Sequence, residues 1–343
     1  MPVSDEPEQT PVSEQSRPLP LSEQPRWKDV SPVPQEDGPD PLVPIMYSDD
    51  YREAMDYFRA VSAAREHSDR VLDLTEMIVR MNPSHYTVWQ YRFATLLALE
   101  KDLSVELELM NEFARDNLKS YQVWHHRLLL LQALSPEDPV GEIDFIHNSL
   151  LPDPKNYHTW AYLHWLYCHF SQLGRISQDR WDSELAWCND LIDSDGRNNS
   201  AWGWRWFLCM ARPGAKGNGN EEIKYALNQI HHIPHNASAW NYLRGAIRAS
   251  GATRVPLLPA LAAYMAGSAV APKAGESEWP ARTTPVDPLT PLPVPLALEF
   301  QADALVEGGR LGDAAAVYGQ LGSSVDRMRS AYWEMRRDEC VNA

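Results

Sequence analysis

Asn82-Pro-Ser-His-Tyr-Thr-Val-Trp-Gln-Tyr-Arg92 and Lys119-Ser-Tyr-Gln-Val-Trp-His-His-Arg127 are two renderings of one phrase. The phrase returns around Trp160, Trp202 and Trp240, as Lys155-Asn-Tyr-His-Thr-Trp160, Arg197-Asn-Asn-Ser-Ala-Trp202 and His235-Asn-Ala-Ser-Ala-Trp240. From Trp89 onward the steps are 35, 36, 42 and 38 residues, the period of helical-hairpin repeats. Each phrase follows an amphipathic stretch such as Leu72–Val79, Val105–Phe113, Ile143–Leu150, Leu185–Leu191 or Ile223–Ile230, which supplies the first helix of a pair. The predicted fold is therefore all-α, a right-handed superhelical solenoid of antiparallel helical hairpins forming a crescent, without a sheet. Within the phrase, Tyr121, Trp124, Arg127 and Leu128 fall on one side of a helix, and the five Trp side chains are expected to be core.

Working outward, residues 1–25 are acidic and broken by prolines, and are expected to be a disordered tail. Residues 26–48 stay Pro-rich but carry Trp27, Val33, Val43, Ile45 and Tyr47, apolar anchors for an extended segment packed on the body. The helical-repeat crescent then runs over 49–343. It is interrupted by a Pro-rich insertion at 271–295 and ends on a degenerate phrase at Arg329–Arg336, which reads as a capping repeat.

With 31 Lys and Arg against 47 Asp and Glu, the net charge of −16 disfavours a nucleic-acid partner. No apolar run is long enough for membrane insertion, no apolar leader is present, and four scattered cysteines suggest neither disulfides nor a metal site. A cytoplasmic location fits these features best. The neighbours His125-His126 and His231-His232 point about 100° apart on a helix and chelate poorly. No Walker A, HExxH or GxSxG motif occurs, so no complete catalytic set lies in this chain. The ending Cys340-Val-Asn-Ala343 has the bare form of a CaaX box, but Asn342 stands where an aliphatic residue is preferred.

The repeated [Asn/Lys]-x-Tyr-x-x-Trp-x-x-Arg phrase resembles the protein prenyltransferase alpha-subunit repeat. The wording of Trp27–Val30, Pro32–Pro39, Tyr47–Ala60 and Lys119–Arg127 is similar to the branch of that family shared by the farnesyl and type I geranylgeranyl enzymes. The likeness covers about residues 26–250 and is weaker beyond. It implies a heterodimer in which a beta subunit supplies zinc and most of the isoprenoid pocket, with magnesium accompanying the diphosphate in the farnesyl enzyme. The reaction implied is transfer of farnesyl or geranylgeranyl from its diphosphate to the cysteine thiolate of a C-terminal CaaX motif, on substrates such as small GTPases. By position in the motif, Lys119 would stabilise the diphosphate leaving group and Tyr121 would lie beside the isoprenoid. Gln122 would donate to the CaaX carboxylate, with Tyr86, Asn156, Tyr157 and His158 as further substrate-binding residues. Trp160-Ala-Tyr-Leu163 departs from the pattern by lacking its Arg, which puts local ion pairing there in doubt. Two rival readings are a tetratricopeptide-like scaffold without catalysis and a Rab-type geranylgeranyltransferase alpha subunit. The first expects Trp-x-x-Leu-Gly wording every 34 residues, and the second expects extra domains.

Overall fold

The computed structural model describes residues 19–212, 214–215, 217–271 and 278–343. The expected tail over 1–18 lies outside the described residues. Among the described residues every regular element is helical, and the chain divides into two compact units, residues 1–136 and 137–343.

The first unit holds α1 (Asp49–Ala63), α2 (Asp69–Met81), α3 (Tyr86–Ala98), α4 (Leu103–Asp116) and α5 (Tyr121–Leu134). The pairs α2/α3 and α4/α5 pack as hairpins across links of four residues. The second unit holds α6 (Val140–Leu150), α7 (Tyr157–Gln172), α8 (Gln178–Ser194), α9 (Asn199–Trp206), α10 (Gly219–His232) and α11 (Ala237–Ser250). Beyond them come the short α12 (Leu258–Leu261), then α13 (Pro295–Glu307), α14 (Leu311–Gln320) and α15 (Ser330–Asn342).

The five links that carry the Trp phrase are built alike. The residue four before each Trp caps the second helix: His85, Ser120, Asn156, Asn198 and Asn236 each accept a hydrogen bond from a first-turn backbone N–H. Each indole N–H donates to the carbonyl six residues back: Pro83, Leu118, Pro154, Gly196 and Pro234, all at 2.8–2.9 Å. Three of these carbonyls accept a second bond, from the cap of the following repeat. Ser120 donates to Pro83, Asn198 to Pro154 and Asn236 to Gly196. The cap side chain thus accepts from its own helix and donates to the preceding link, which explains a hydroxyl or an amide at this position. Four of the five indoles are buried, each worth roughly 2–3 kcal/mol by area, while Trp160 is half-buried.

The tyrosines three residues before the Trp do not share its burial: Tyr86, Tyr121 and Tyr157 are 64–74% exposed. They occupy the first helical position, outside the hairpin contact. Residues 19–25, expected within the tail, instead make two short 3-10 turns in which Glu53 accepts from the Leu21 and Ser22 amides and Leu21 is buried. Trp27 is buried under the Arg70 guanidinium, whose charge Asp29 balances. Of the other expected anchors, Val43 and Ile45 face solvent, and Val33 is held by its backbone rather than its side chain. Over 278–294 the chain runs without regular structure, fixed by Arg282 donating to the His231 carbonyl and by His231 and His235 bonding to the Pro280 and Pro291 carbonyls. In the terminal pair, Trp333 is buried against Tyr318 and donates to Asp326 rather than to a link carbonyl.

Because Trp202 and Asn236 share the Gly196 carbonyl, Trp202→Phe and Asn236→Asp should each cost ~1–2 kcal/mol in urea unfolding. The double variant, which strips that carbonyl of both donors, should cost at least about 0.5 kcal/mol more than the sum.

Candidate functional site

In the first unit, Lys119 precedes the cap of α5, at the C-terminal side of the α4–α5 link. Its side chain is exposed and makes no salt bridge among the described residues. Lys155, the same position one repeat on, is neutralised by Asp195 at 3.0 Å. An open pocket of about 470 Å³, lined by Pro83, Ser84, Arg115, Asp116, Asn117, Leu118, Lys119 and Ser120, lies at this link. The ammonium, without a salt bridge, therefore borders open space beside the N-terminus of a fourteen-residue helix, where the dipole also favours an anion.

A second pocket of the same unit, about 240 Å³, is walled by Tyr86, Trp89 and Gln90 from α3 and by Gln122, His125, His126 and Leu129 from α5. Tyr86 and Gln122, chosen from the sequence as substrate-binding residues, thus meet in one pocket. Tyr121 stands exposed at the first position of α5, between Ser120 and Gln122.

The floor of this pocket rests on a buried charge cluster. Glu106 takes a two-point contact from Arg92, at 2.7 Å on each oxygen, and a bond from His126 Nε2 at 2.9 Å. Burial alone would raise the Glu106 carboxyl, but the His126 and Arg92 hydrogen bonds outweigh it and hold the group down at about 2. Burial likewise keeps His126 below the usual imidazole range, hence neutral, against the opposing pull of Glu106. The neutral ring donates from Nε2, which leaves Nδ1 without a partner.

Glutamates 106, 142, 184 and 222 all lie eighteen residues before a motif Trp and are all buried. Each accepts from the residue two after that Trp, respectively His126, Tyr162, Trp204 and Tyr242. These glutamates were missed in the sequence, although they repeat with the Trp period. Where Leu163 replaces the motif arginine, the Tyr167 hydroxyl and His147 bond Glu184 instead. Arg205, which keeps the motif, grips Glu222 with two nitrogens.

In the second unit, Asn156 is buried, with Oδ1 committed to the Thr159 amide and Nδ2 to Asp153. Asn156 thus serves as the cap of α7. Tyr157 is exposed and His158 half-exposed beside it, the rings edge to face at 5.5 Å. Among the described residues no group of three His, Cys, Asp or Glu could hold a metal. His125 is exposed while His126 is buried on Glu106, so that pair does not converge on one ion.

Hairpins repeated on one indole-closed link define a helical-repeat protein of a particular kind. A sequence profile described as the protein prenyltransferase alpha subunit repeat matches residues 68–99, 103–134, 140–170, 181–212 and 220–250. The chain is 40% identical over 222 residues to the protein farnesyltransferase/geranylgeranyltransferase type-1 subunit alpha of Pisum sativum, covering 64% of each. It is 40% identical over 227 residues to the protein of the same name from Dictyostelium discoideum, covering 64% of this chain and 68% of that one. By contrast, the human geranylgeranyl transferase type-2 subunit alpha is 29% identical over 181 residues, a quarter of its length. A solved structure of Candida albicans protein geranylgeranyltransferase-I complexed with GGPP superposes with a TM-score of 0.77 at 29% identity, covering 91% of this chain and 98% of that chain. The chain belongs to the protein prenyltransferase alpha subunit repeat family, so the tetratricopeptide reading falls away.

Stability should fall with acid, for reasons of sign. A depressed carboxyl stabilises the fold above the ordinary carboxylate range, a contribution lost as pH falls toward about 2. A depressed imidazole costs stability once pH drops below about 6.5, because the unfolded chain takes up the proton first. Melting temperature should therefore decline from pH 7.5 to 5 and further below pH 4. Glu106→Gln should lose ~3 kcal/mol at pH 7.5 and show a shallower decline below pH 4.5.

Proposed function

We propose that the chain is the alpha subunit of a heterodimeric CaaX protein prenyltransferase. It works with a beta subunit to move farnesyl or geranylgeranyl from the isoprenoid diphosphate to the cysteine thiolate of a C-terminal CaaX sequence on proteins such as small GTPases. The observation that carries this reading is Lys119, an exposed ammonium without a salt bridge at a helix N-terminus, on a chain similar to subunits bearing that name. The aligned region spans 64% of the Pisum relative's length, and activity, substrates and partner are read from the site as well as from the likeness.

As the bond from C1 to the diphosphate lengthens, negative charge collects on the leaving group. A cation aimed there binds the transition state more tightly than the ground state. Lys155, already neutralised by Asp195, is poorly suited to this task. Tyr121 offers a ring beside the isoprenoid, while Gln122 and Tyr86 offer an amide and a phenol to the peptide from their shared pocket. Tyr157 and His158 of the second unit are, by their position in the motif, proposed to contact substrate or partner. Zinc bound by the beta subunit would supply thiolate activation. Magnesium would accompany the diphosphate in a farnesyl enzyme. No described helix is long and apolar enough to cross a membrane.

Co-expressed with a farnesyltransferase beta chain, the protein should form a one-to-one complex that transfers farnesyl to a CaaX peptide, with neither chain active alone. Lys119→Ala should assemble normally and lower kcat by about 10²-fold. Loss of the complex in that variant, or an unchanged rate, would refute the role given to Lys119.

A further inference from the structure

Away from the two pockets, on α7, a thiol stands beside an imidazole. His164 and Cys168 lie one turn apart, with Cys168 Sγ 3.7 Å from His164 Nδ1. Residues four apart share a helix face, the spacing by which two side chains of one helix reach a single ion. Neither residue belongs to the repeated phrase, and the cysteine count alone gave no sign of the pair. Both donors can be reached from solvent, since His164 is exposed and Cys168 half-buried. The imidazole is not free to swing, because its ring packs on Phe207 with centroids 4.4 Å apart and meets Trp204 edge to face at 6.2 Å. Both of those aromatic rings are buried. Cys188, by contrast, is buried and donates to the Ala201 carbonyl at 3.3 Å.

The separation of the two donors selects among ions. A tetrahedral cation bonded at about 2.3 Å to sulfur and about 2.1 Å to nitrogen holds those atoms about 3.6 Å apart. The same bonds at a right angle need about 3.1 Å, and in a line about 4.4 Å. The observed 3.7 Å fits the tetrahedral case. A thiolate with an imidazole suits Zn²⁺ and its chemical relatives Co²⁺ and Cd²⁺, whereas Mg²⁺ and Ca²⁺ take oxygen. With two donors from the protein, water fills the remaining positions, so the ion exchanges, unlike one enclosed by four protein ligands. In the metal-free chain the Cys168 thiol donates to Nδ1 of an imidazole that desolvation keeps neutral. Binding breaks the S–H bond, forms a sulfur–metal and a nitrogen–metal bond, and passes the proton to water.

We propose that His164 and Cys168 form a binding site for one exchangeable zinc-class cation, held tetrahedrally by Nδ1, Sγ and two waters. Both protein donors lie on one helix of this chain, so the full chain without a partner suffices for the test.

The reduced, metal-stripped chain is titrated with Co²⁺, and the thiolate-to-cobalt charge-transfer band in the near ultraviolet is followed. The expected result is a band that saturates at one ion per chain and is bleached by Zn²⁺. Cys168→Ser should abolish it, His164→Gln should weaken binding at least about tenfold, and Cys340→Ser should leave it unchanged. Metal-free melting, read by circular dichroism, should match wild type in all three. On the wild-type chain, where no variant has to fold, Zn²⁺ should slow iodoacetamide alkylation of Cys168, mapped by mass spectrometry, at least about tenfold. Absence of the cobalt band in wild type, or its survival in Cys168→Ser, would overturn the proposal. So would undiminished affinity in His164→Gln, which would reduce the site to a lone thiol, or alkylation of Cys168 at the same rate with and without Zn²⁺.

Discussion

The fold depends on one carbonyl per hairpin. A link of a few residues between two helices leaves backbone oxygens that neither helix can satisfy, and burying one unpaired costs about 1–3 kcal/mol. Here the indole of the following helix reaches back six residues to that oxygen in all five repeats. In three links the next repeat's cap takes the second lone pair. Closing a hairpin and stacking its neighbour are thereby one event. A chain with repeat steps from 35 to 42 residues keeps one geometry because the lock spans only six residues, and the extra length falls outside it.

The glutamates add a deeper tie. A carboxylate buried in the first helix of a hairpin is tolerated only when donors fill its lone pairs, and each of Glu106, Glu184 and Glu222 receives at least two. The donors come from motif helices on either side, so the charge joins successive repeats rather than adding mere burial. The third repeat shows how tolerant the device is. Leucine stands at position 163, and a tyrosine hydroxyl four residues on takes the place of the guanidinium.

Much of this was legible in the sequence, for a physical reason. The five tryptophans and the phrase around them repeat because each link needs the same donor, so the hairpins and the links follow from reading them. The buried glutamates share the period but were hidden, because a glutamate on an amphipathic helix reads as a solvated face. Asn156 was named for substrate by its position in the motif; that its side chain is buried as the cap of α7 while Tyr157 is exposed required coordinates. Val43 and Ile45 were taken as anchors because hydrophobicity alone does not say which side chains the fold buries. Of the candidate residues, Lys119, Tyr86 and Gln122 were named from the sequence. That Tyr86 and Gln122 share a pocket, and that Lys119 alone of the two motif lysines is without a salt bridge, required coordinates.

The link lock and the proposed chemistry meet at Trp124, whose indole closes on the Leu118 carbonyl, next to Lys119. If that bond positions the lysine, loosening it should impair catalysis beyond any cost in stability. The direct measurement is single-turnover prenyl transfer by heterodimers carrying Trp124→Phe or Trp240→Phe, at a temperature where both are fully folded. The account predicts a slowed chemical step for Trp124→Phe and a wild-type rate for Trp240→Phe. Equal rates in the two would contradict it.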